Sequence, residues 1–289
     1  IDALPELVNE ASGRIHSSFN QAMTATGRLS SSNPNFQNIP IKTQEGREIR
    51  KAFRSSDPNW LIFSADYSQI ELRIMAHLSQ DEALVKAFNQ GEDIHATTAA
   101  NVFNVPLDQV QPAMRRTAKI VNFGLLYGAG PFRMSQELGI PQKEAKSLIE
   151  AYFATYSGIK KYVESMMEFA KENRFVTTLL GRKRPVWDID SSNHLHREAA
   201  KRMAINMPIQ GTSAEMIKLA MKSIHDSMLE GKMQSKMLLQ IHDELVFETP
   251  KDELDELKEM VTNKMINAMA LSVPIEVDSG FGKSWFEAH

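Results

Sequence analysis

An α+β fold is predicted for this chain, with an antiparallel sheet built from both ends of the sequence and a helical subdomain inserted into it. Three observations predict it. Trp60-Leu61-Ile62-Phe63-Ser64-Ala65-Asp66, apolar at five of its first six positions, reads as a strand buried on both faces. Lys236 to Ile241 and Leu245 to Glu248 read as two further strands, joined through His242-Asp243-Glu244. From Asp81 to Asn206, helical spacing dominates.

Taken in order, residues 2–12 are expected to be helical. Arg14 to Asn20 alternates like an antiparallel strand, Ala22 to Leu29 is its expected partner, and Ser30 to Pro40 is a polar loop. After Asp66, the spacing of Ile70, Ile74 and Leu78 predicts a helix, and Ser68-x-x-Glu71 fits a capping box at its start. Asp93 can cap another helix, Pro106 interrupts the next, and Pro141 opens one that carries Leu148, Tyr152 and Phe153. Thr177 to Trp187 reads as strand and turn. A separate helix is expected past Gly211, then the two strands, an amphipathic helix through Leu254, Leu257, Val261 and Met265, and a last strand at Ile275 and Val277.

Composition bounds the function. The 289 residues carry 42% apolar and 24% charged side chains, the balance of a globular protein, and no apolar run approaches the ~18 residues of a membrane helix. Zero cysteines exclude disulfides and thiolate metal sites, leaving Asp, Glu and His as ligand candidates. The formal charge is −3, so bulk charge does not signal nucleic acid. Its distribution does: Lys171, Arg174, Arg182, Lys183, Arg184, Arg197, Lys201 and Arg202 gather in one part of the chain, opposite an acidic face from Asp252 to Glu259. Two ordinary solvated faces fit the same charges.

Asp66, closing a core strand just before a helix, is held rigidly and still reaches solvent, which suits a metal ligand; an ordinary turn-forming Asp fits there too. In the segment from Pro112 to Tyr127, Arg115, Lys119, Phe123 and Tyr127 fall at four-residue steps along one helical stripe. The two cations lie in the N-terminal half, where the helix dipole disfavours each by about 0.3–1 kcal/mol. That placement makes sense around a polyanion such as a triphosphate, with the two rings meeting a base and a sugar. An exposed basic turn with core-facing rings is the other reading. Gly124 would leave a gap beside Phe123 for a flat base to approach. At the tip of the predicted hairpin, Asp243 and Glu244 repel one another and so suggest a cation, although Asp also favours turns. Two rigid aspartates and a cationic–aromatic helix are the parts that two-metal phosphoryl transfer requires.

With those residues in view, the chain resembles the polymerase domain of family A DNA polymerases, over essentially all of its length. The first motif is Asp66-Tyr67-Ser68-Gln69-Ile70-Glu71-Leu72-Arg73. Arg115-Arg116-Thr117-Ala118-Lys119-Ile120-Val121-Asn122-Phe123-Gly124-Leu125-Leu126-Tyr127-Gly128 is similar to the family's nucleotide-binding helix, and Gln240-Ile241-His242-Asp243-Glu244-Leu245-Val246 to its third motif. Thr26-Gly27-Arg28-Leu29-Ser30-Ser31 and Asn206-Met207-Pro208-Ile209-Gln210-Gly211-Thr212 resemble two further segments.

The resemblance implies a right-hand fold: residues 1–75 and 206–289 as palm, 76–205 as fingers, and no thumb in this chain. It implies Asp66 and Asp243 as metal ligands, joined by the Tyr67 carbonyl and supported by Glu244. Arg115, Lys119 and His95 would hold the triphosphate. Phe123 would stack on the nucleotide, Tyr127 would lie beneath the nascent pair, and Gln69 would help bind the nucleotide. Glu71 would be a steric gate against a ribose 2′-hydroxyl. Arg28, Asn206, Gln210, Arg202 and His242 would contact primer and template, where minor-groove acceptors common to every Watson–Crick pair let donors test geometry without reading sequence. Implied with these are two Mg²⁺ ions (Mn²⁺ able to substitute), dNTPs, a primer–template duplex, no membrane, and a bacterial cytoplasmic, nucleoid-associated setting in replication and repair. Family members carry a thumb and an exonuclease-like domain ahead of the point where this sequence begins, so a piece of a larger polymerase with weak duplex grip is expected. A single-subunit RNA polymerase is the nearest rival, disfavoured by Glu71; a non-catalytic DNA-binding remnant is disfavoured by the presence of Asp66, Asp243 and Glu244.

Overall fold

The computed structural model describes residues 4–39 and 44–289, the side chains at 44 and 45 excepted. Strands β1 (Ser18–Asn20) and β2 (Ser30–Ser32) pair antiparallel and precede the short helix α1 (Gln44–Ile49) and strand β3 (Trp60–Tyr67). Then come α2 (Ile70–Ser79), α3 (Glu82–Asn89), α4 (Ile94–Phe103), α5 (Pro112–Leu126), α6 (Pro131–Leu138), α7 (Gln142–Thr155) and α8 (Ser157–Asn173). The hairpin β4 (Phe175–Thr177) and β5 (Lys183–Pro185) leads into α9 (His194–Glu230). The chain ends with β6 (Lys236–Ile241), β7 (Glu244–Pro250), α10 (Leu254–Ile266) and β8 (Val277–Gly282). Mixed helix and antiparallel sheet make this an α+β protein, as expected from the sequence. No helix among the described residues is long and apolar enough to cross a membrane.

The chain divides into two compact units. The first comprises Ile1–Ser68, Ala214–Ala270 and Glu276–His289. Its sheet has the order β6-β7-β3-β8, every pairing antiparallel. Residues Leu61 to Ala65 are all buried, which is why β3 reads as a continuous apolar run. Phe36, Ile62, Ile241, Val246, Trp285 and Ala288 form one core cluster, with the Phe53 ring edge-on to both Phe36 and Trp285. Helix α10 buries Leu254, Leu257, Val261 and Met265 at helical spacing, and Tyr67 Oη donates to the Met265 carbonyl at 2.8 Å.

The second unit, Gln69–Ser213 with Leu271–Ile275, holds the helical middle of the chain. Asp81 caps α3 by accepting from the Leu84 amide, and its other oxygen accepts from the Gly158 amide at 2.7 Å, tying the start of α8 to α3. Asp93 caps α4 through the His95 and Ala96 amides, as its position in the sequence suggested.

Several expectations are corrected. Residues 2–12 do not form an α-helix within the described part (residues 2 and 3 lie outside it), where only a three-residue 3-10 turn, Pro5–Leu7, occurs. There the Asn9 side chain accepts from the Ala11 and Ser12 amides, a local turn that competes with helix. The partner of β1 is Ser30–Ser32, inside the expected loop, because Ala22 to Leu29 is spent on a turn with Gly27 at φ 82°. Helix α2 starts one residue later than a Ser68/Glu71 capping box implies: Gln69 is the N-cap, at φ 53° with no side-chain cap of its own. The helix expected to start past Gly211 is the second half of one 37-residue helix, α9, running through Pro208. Gly211 serves packing there, since a Cβ would stand 2.4 Å from Thr178 Cγ2. Nor does Gly124 leave a gap for a base. It is buried, and its missing Cβ is replaced by Met134, whose Cε would lie 2.7 Å away.

Candidate active site

Antiparallel register brings the acids of the first unit together. Asp66, next to last in β3, stands opposite Glu244 of β7 on one side and Asp278 of β8 on the other. Asp243 occupies the two-residue connection between β6 and β7, next to His242, which is exposed at φ 58°. The Asp243 carbonyl accepts from the Tyr67 amide at 3.3 Å, so the connection is pinned to the end of β3. Asp66 and Asp243 are half-buried, Tyr67 and Glu244 buried.

Burial pushes the Asp66 carboxyl up to about 8, and the neighbouring Asp243 and Glu244 charges push in the same direction. Its Oδ1 is shut off from solvent with no hydrogen-bond partner among the described residues. A carboxylate in this state is short of positive charge, so Asp66 and Asp243 fit a divalent cation. Among the described residues no three acidic or imidazole side chains converge as a metal cage.

Glu244 differs from the two aspartates. Its Oε1 accepts from Ser64 Oγ at 2.6 Å and from Trp285 Nε1 at 2.7 Å, and lies 3.5 Å from His289 Nδ1. These donors outweigh the burial that would raise its pKa, and hold it below the ordinary glutamate value. Above the Trp285 ring, at 3.9 Å, sits the Arg50 guanidinium, which is 2% exposed and, among the described residues, has no hydrogen bond from any of its three nitrogens. Burial depresses its pKa, while Glu244 and Asp66 act the other way. Sequence reading missed Arg50, Trp285, His289 and Asp278, because their nearness to Asp66 exists only once the sheet is assembled.

Arg28, half-buried, belongs to this unit too, in the turn between β1 and β2, its carbonyl accepting from Thr24 Oγ1 at 2.5 Å.

In the second unit, α5 presents the predicted stripe. Arg115 and Lys119 are exposed, Phe123 and Tyr127 half-buried, while Ala118, Val121, Asn122, Leu125 and Leu126 are buried on the other side. Arg115 Nε donates to Asp93 Oδ2 at 2.7 Å, an exposed pair that an arriving anion can open at small cost. His95, in the first turn of α4, is 3% exposed and packs its ring 5.7 Å from that of Phe123. Burial, aided by Lys119 and Arg115 and opposed by Asp93, pushes the imidazole down to about 4. It is therefore neutral near pH 7.

Tyr127 Oη donates to Glu71 Oε2 at 2.5 Å. Gln69 leaves its side-chain carbonyl buried without a partner. Arg202, Asn206 and Gln210 recur at four-residue steps on α9 and are each half-buried, with buried Ala204, Ile205, Met207 and Ile209 between them, so they share one face. Asn206 Nδ2 donates to the Tyr127 carbonyl at 3.4 Å. The predicted residues thus divide by unit: Asp66, Tyr67, Asp243, Glu244, His242 and Arg28 lie in the first, and His95, the α5 stripe, Glu71, Gln69 and the α9 face in the second.

A family profile described as DNA polymerase family A matches residues 1–287. The chain is 48% identical over 288 residues to DNA polymerase I of Geobacillus stearothermophilus, covering 100% of this chain and 33% of that protein. It is likewise 48% identical to the thermostable DNA polymerase I of Thermus aquaticus, covering 34% of it. The chain thus spans about a third of the length of these curated relatives. A solved structure described as the POL domain of Pol1 from M. smegmatis, in complex with DNA primer-template and dNTP, superposes with a TM-score of 0.96 at 46% identity, over 99% of this chain and 50% of that one.

Proposed function

This chain belongs to DNA polymerase family A, and from that premise we propose that it is the catalytic part of a template-directed DNA polymerase. The reaction is nucleotidyl transfer: the primer 3′-hydroxyl gives up its proton to solvent, its oxygen forms a bond to the α-phosphorus of a dNTP, the α–β phosphoanhydride bond breaks, and pyrophosphate leaves. In this reading the first unit is the palm, the second the fingers. The setting is DNA replication and repair at the bacterial nucleoid.

Asp66 and Asp243, with the Tyr67 carbonyl, would hold two Mg²⁺ ions, replaceable by Mn²⁺, which when bound would ease loss of the proton from the attacking 3′-hydroxyl and offset the charge on the departing pyrophosphate. Glu244, engaged by Ser64 and Trp285, fixes the strand end that carries Asp243 instead of serving as a free ligand. Arg115, Lys119 and His95 take the triphosphate, with Arg115 exchanging Asp93 for phosphate. Phe123 stacks on the base and Tyr127 lies under the new pair. Glu71, held by Tyr127, occupies the place a ribose 2′-hydroxyl would need, and Gln69 lies beside it in sequence. Arg202, Asn206 and Gln210 on the α9 face, with Arg28 and His242, contact primer and template.

The observation that carries this reading is the pair Asp66 and Asp243, half-buried at the end of one core strand and the adjoining hairpin tip, with Asp66 Oδ1 buried and unpartnered. Extension of a labelled primer in Mg²⁺ tests it: template-directed addition of dNTPs, with ribonucleotides strongly disfavoured, is expected. Equal use of the two would point instead to an RNA polymerase, and no addition by the folded chain with duplex present would contradict the reading.

A further inference from the structure

Behind His95 lies a row of buried polar side chains that the proposed reaction does not use. Asn122, on the buried side of α5 and 1% exposed, places its Nδ2 3.0 Å from His95 Nδ1. Thr98 Oγ1, fully buried, donates to Asn122 Oδ1 at 3.2 Å and lies 2.9 Å from the hydroxyl of buried Tyr156. The amide nitrogen also sits 3.2 Å from Thr98 Oγ1. The hydrogen bonds can run in one consistent direction: Tyr156 O–H to Thr98, Thr98 O–H to the Asn122 carbonyl, Asn122 N–H to His95 Nδ1. Buried polar groups of this kind are costly unless each finds its partner, so the row holds a defined arrangement.

One consequence concerns a proton. A neutral imidazole carries a single N–H, and which nitrogen bears it is set by what the other meets. Asn122 offers a donor to Nδ1, which must then accept, leaving the proton on Nε2. The side-chain hydrogen bond that the ring makes to Asn122 is at Nδ1, not at Nε2. The charged groups facing this ring are Lys119 and Arg115 from α5 and Asp93 from the start of its own helix. The two cations disfavour a second proton, so a donor here has to be the neutral N–H.

We propose that Asn122 is a positioning residue: it locks His95 in the neutral Nε2–H tautomer, so that this N–H donates to a phosphate oxygen of the incoming nucleotide. The nucleotide half rests on the polymerase reading above; the Asn122–His95 half does not. His95 then acts as a directed dipole and not as a third cation, binding the triphosphate while leaving the net charge of the pocket unchanged when pyrophosphate must depart.

Two-bond ¹H–¹⁵N spectra of the full chain, labelled at histidine and with His95 assigned by a His95→Gln variant, test the first half. Protonation at Nε2 is expected between pH 6 and 8. Asn122→Asp, which turns an acceptor toward Nδ1, should move the proton to Nδ1 and raise the titration of His95. Asn122→Leu should give mixed tautomers and raise the KM for dNTP by the inverse of the remaining Nε2–H fraction, about twofold, with kcat and duplex affinity little changed. Should the Asn122 variants not fold, Thr98→Val removes the hydroxyl that orients the amide and should itself mix the tautomers. An Nδ1–H tautomer in the unaltered chain, or tautomers indifferent to residues 122 and 98, overturns the proposal. Adding dTTP to the chain with a dideoxy-terminated primer–template tests the second half: the Nε2 proton signal should shift. If the tautomer behaves as proposed but dTTP leaves the signal unmoved, the nucleotide role of His95 falls and the positioning by Asn122 stands.

Discussion

Tyr127, capping the C-terminal end of α5, donates its hydroxyl to the carboxylate of Glu71 in the first turn of α2, 2.5 Å away. Glu71 is 7% exposed. A buried carboxylate held by a tyrosine is a stiff obstacle. Glu71→Ala should therefore admit ribonucleotides, raising rNTP use relative to dNTP by about 10²-fold or more, the range over which a built pocket discriminates a hydroxyl. Tyr127→Phe, which removes one hydrogen bond from Glu71, should raise it by less. Single-nucleotide incorporation with paired dNTP and rNTP measures both.

Lys119 stands exposed on the same stripe of α5, four residues after Arg115, and its contribution should be to nucleotide binding. Removing one charge-assisted contact costs about 1.5–3 kcal/mol. Lys119→Ala is expected to raise the KM for dNTP by at least about tenfold, with primer–template affinity, read by fluorescence anisotropy, kept within about threefold.

The acids of the first unit predict how stability varies with pH. The Asp66 carboxyl is pushed up to about 8 from an ordinary value of 3.8. Below about pH 4 it is protonated in both folded and unfolded chains and contributes no pH dependence. As pH rises toward 8, the unfolded chain releases this proton first, so the Asp66 contribution favours unfolding increasingly, and levels off above 8. Metal-free protein should thus lose part of its stability across pH 4–8, Asp66→Asn should lose less, and Mg²⁺ or Mn²⁺ should restore it in the parent but not in Asp66→Asn. Thermal melts with and without EDTA read this out.

Gly211 lies in the interior of α9, where helix propensity alone favours alanine by about 1 kcal/mol. Contact with Thr178 reverses the sign, because the added Cβ would meet Cγ2 at 2.4 Å. Gly211→Ala should lower stability by about 1–3 kcal/mol, the usual cost of overpacking, and Gly211→Ala with Thr178→Ser should recover part of it. Urea unfolding of the three variants measures this.

What could be read from the sequence follows its local physics. Strand β3 and the β6–β7 hairpin were legible because strands covered on both faces are apolar at successive positions, and the α5 stripe because four-residue spacing is independent of the rest of the fold. Asp66, Asp243, Arg115 and Lys119 stood out for that reason. Sequence spacing offered Glu71 only a local capping role, whereas its carboxylate also takes a tertiary partner, Tyr127, 56 residues away. Gly124 and Gly211 looked like a gap and a breaker, yet each is a place where another side chain packs. Above all, Arg50, Trp285 and His289 meet Glu244 only through long-range pairing, and nothing in their flanking residues marks them.

Primer extension in Mg²⁺ by the parent chain, Asp66→Asn and Asp243→Asn tests the central claim most directly, with circular dichroism confirming that all three are folded. Activity reduced by at least about 10³-fold in each variant, with duplex binding kept, is the predicted result. Either variant extending primers at the parent rate would contradict the assignment of these two carboxylates as the metal-holding pair.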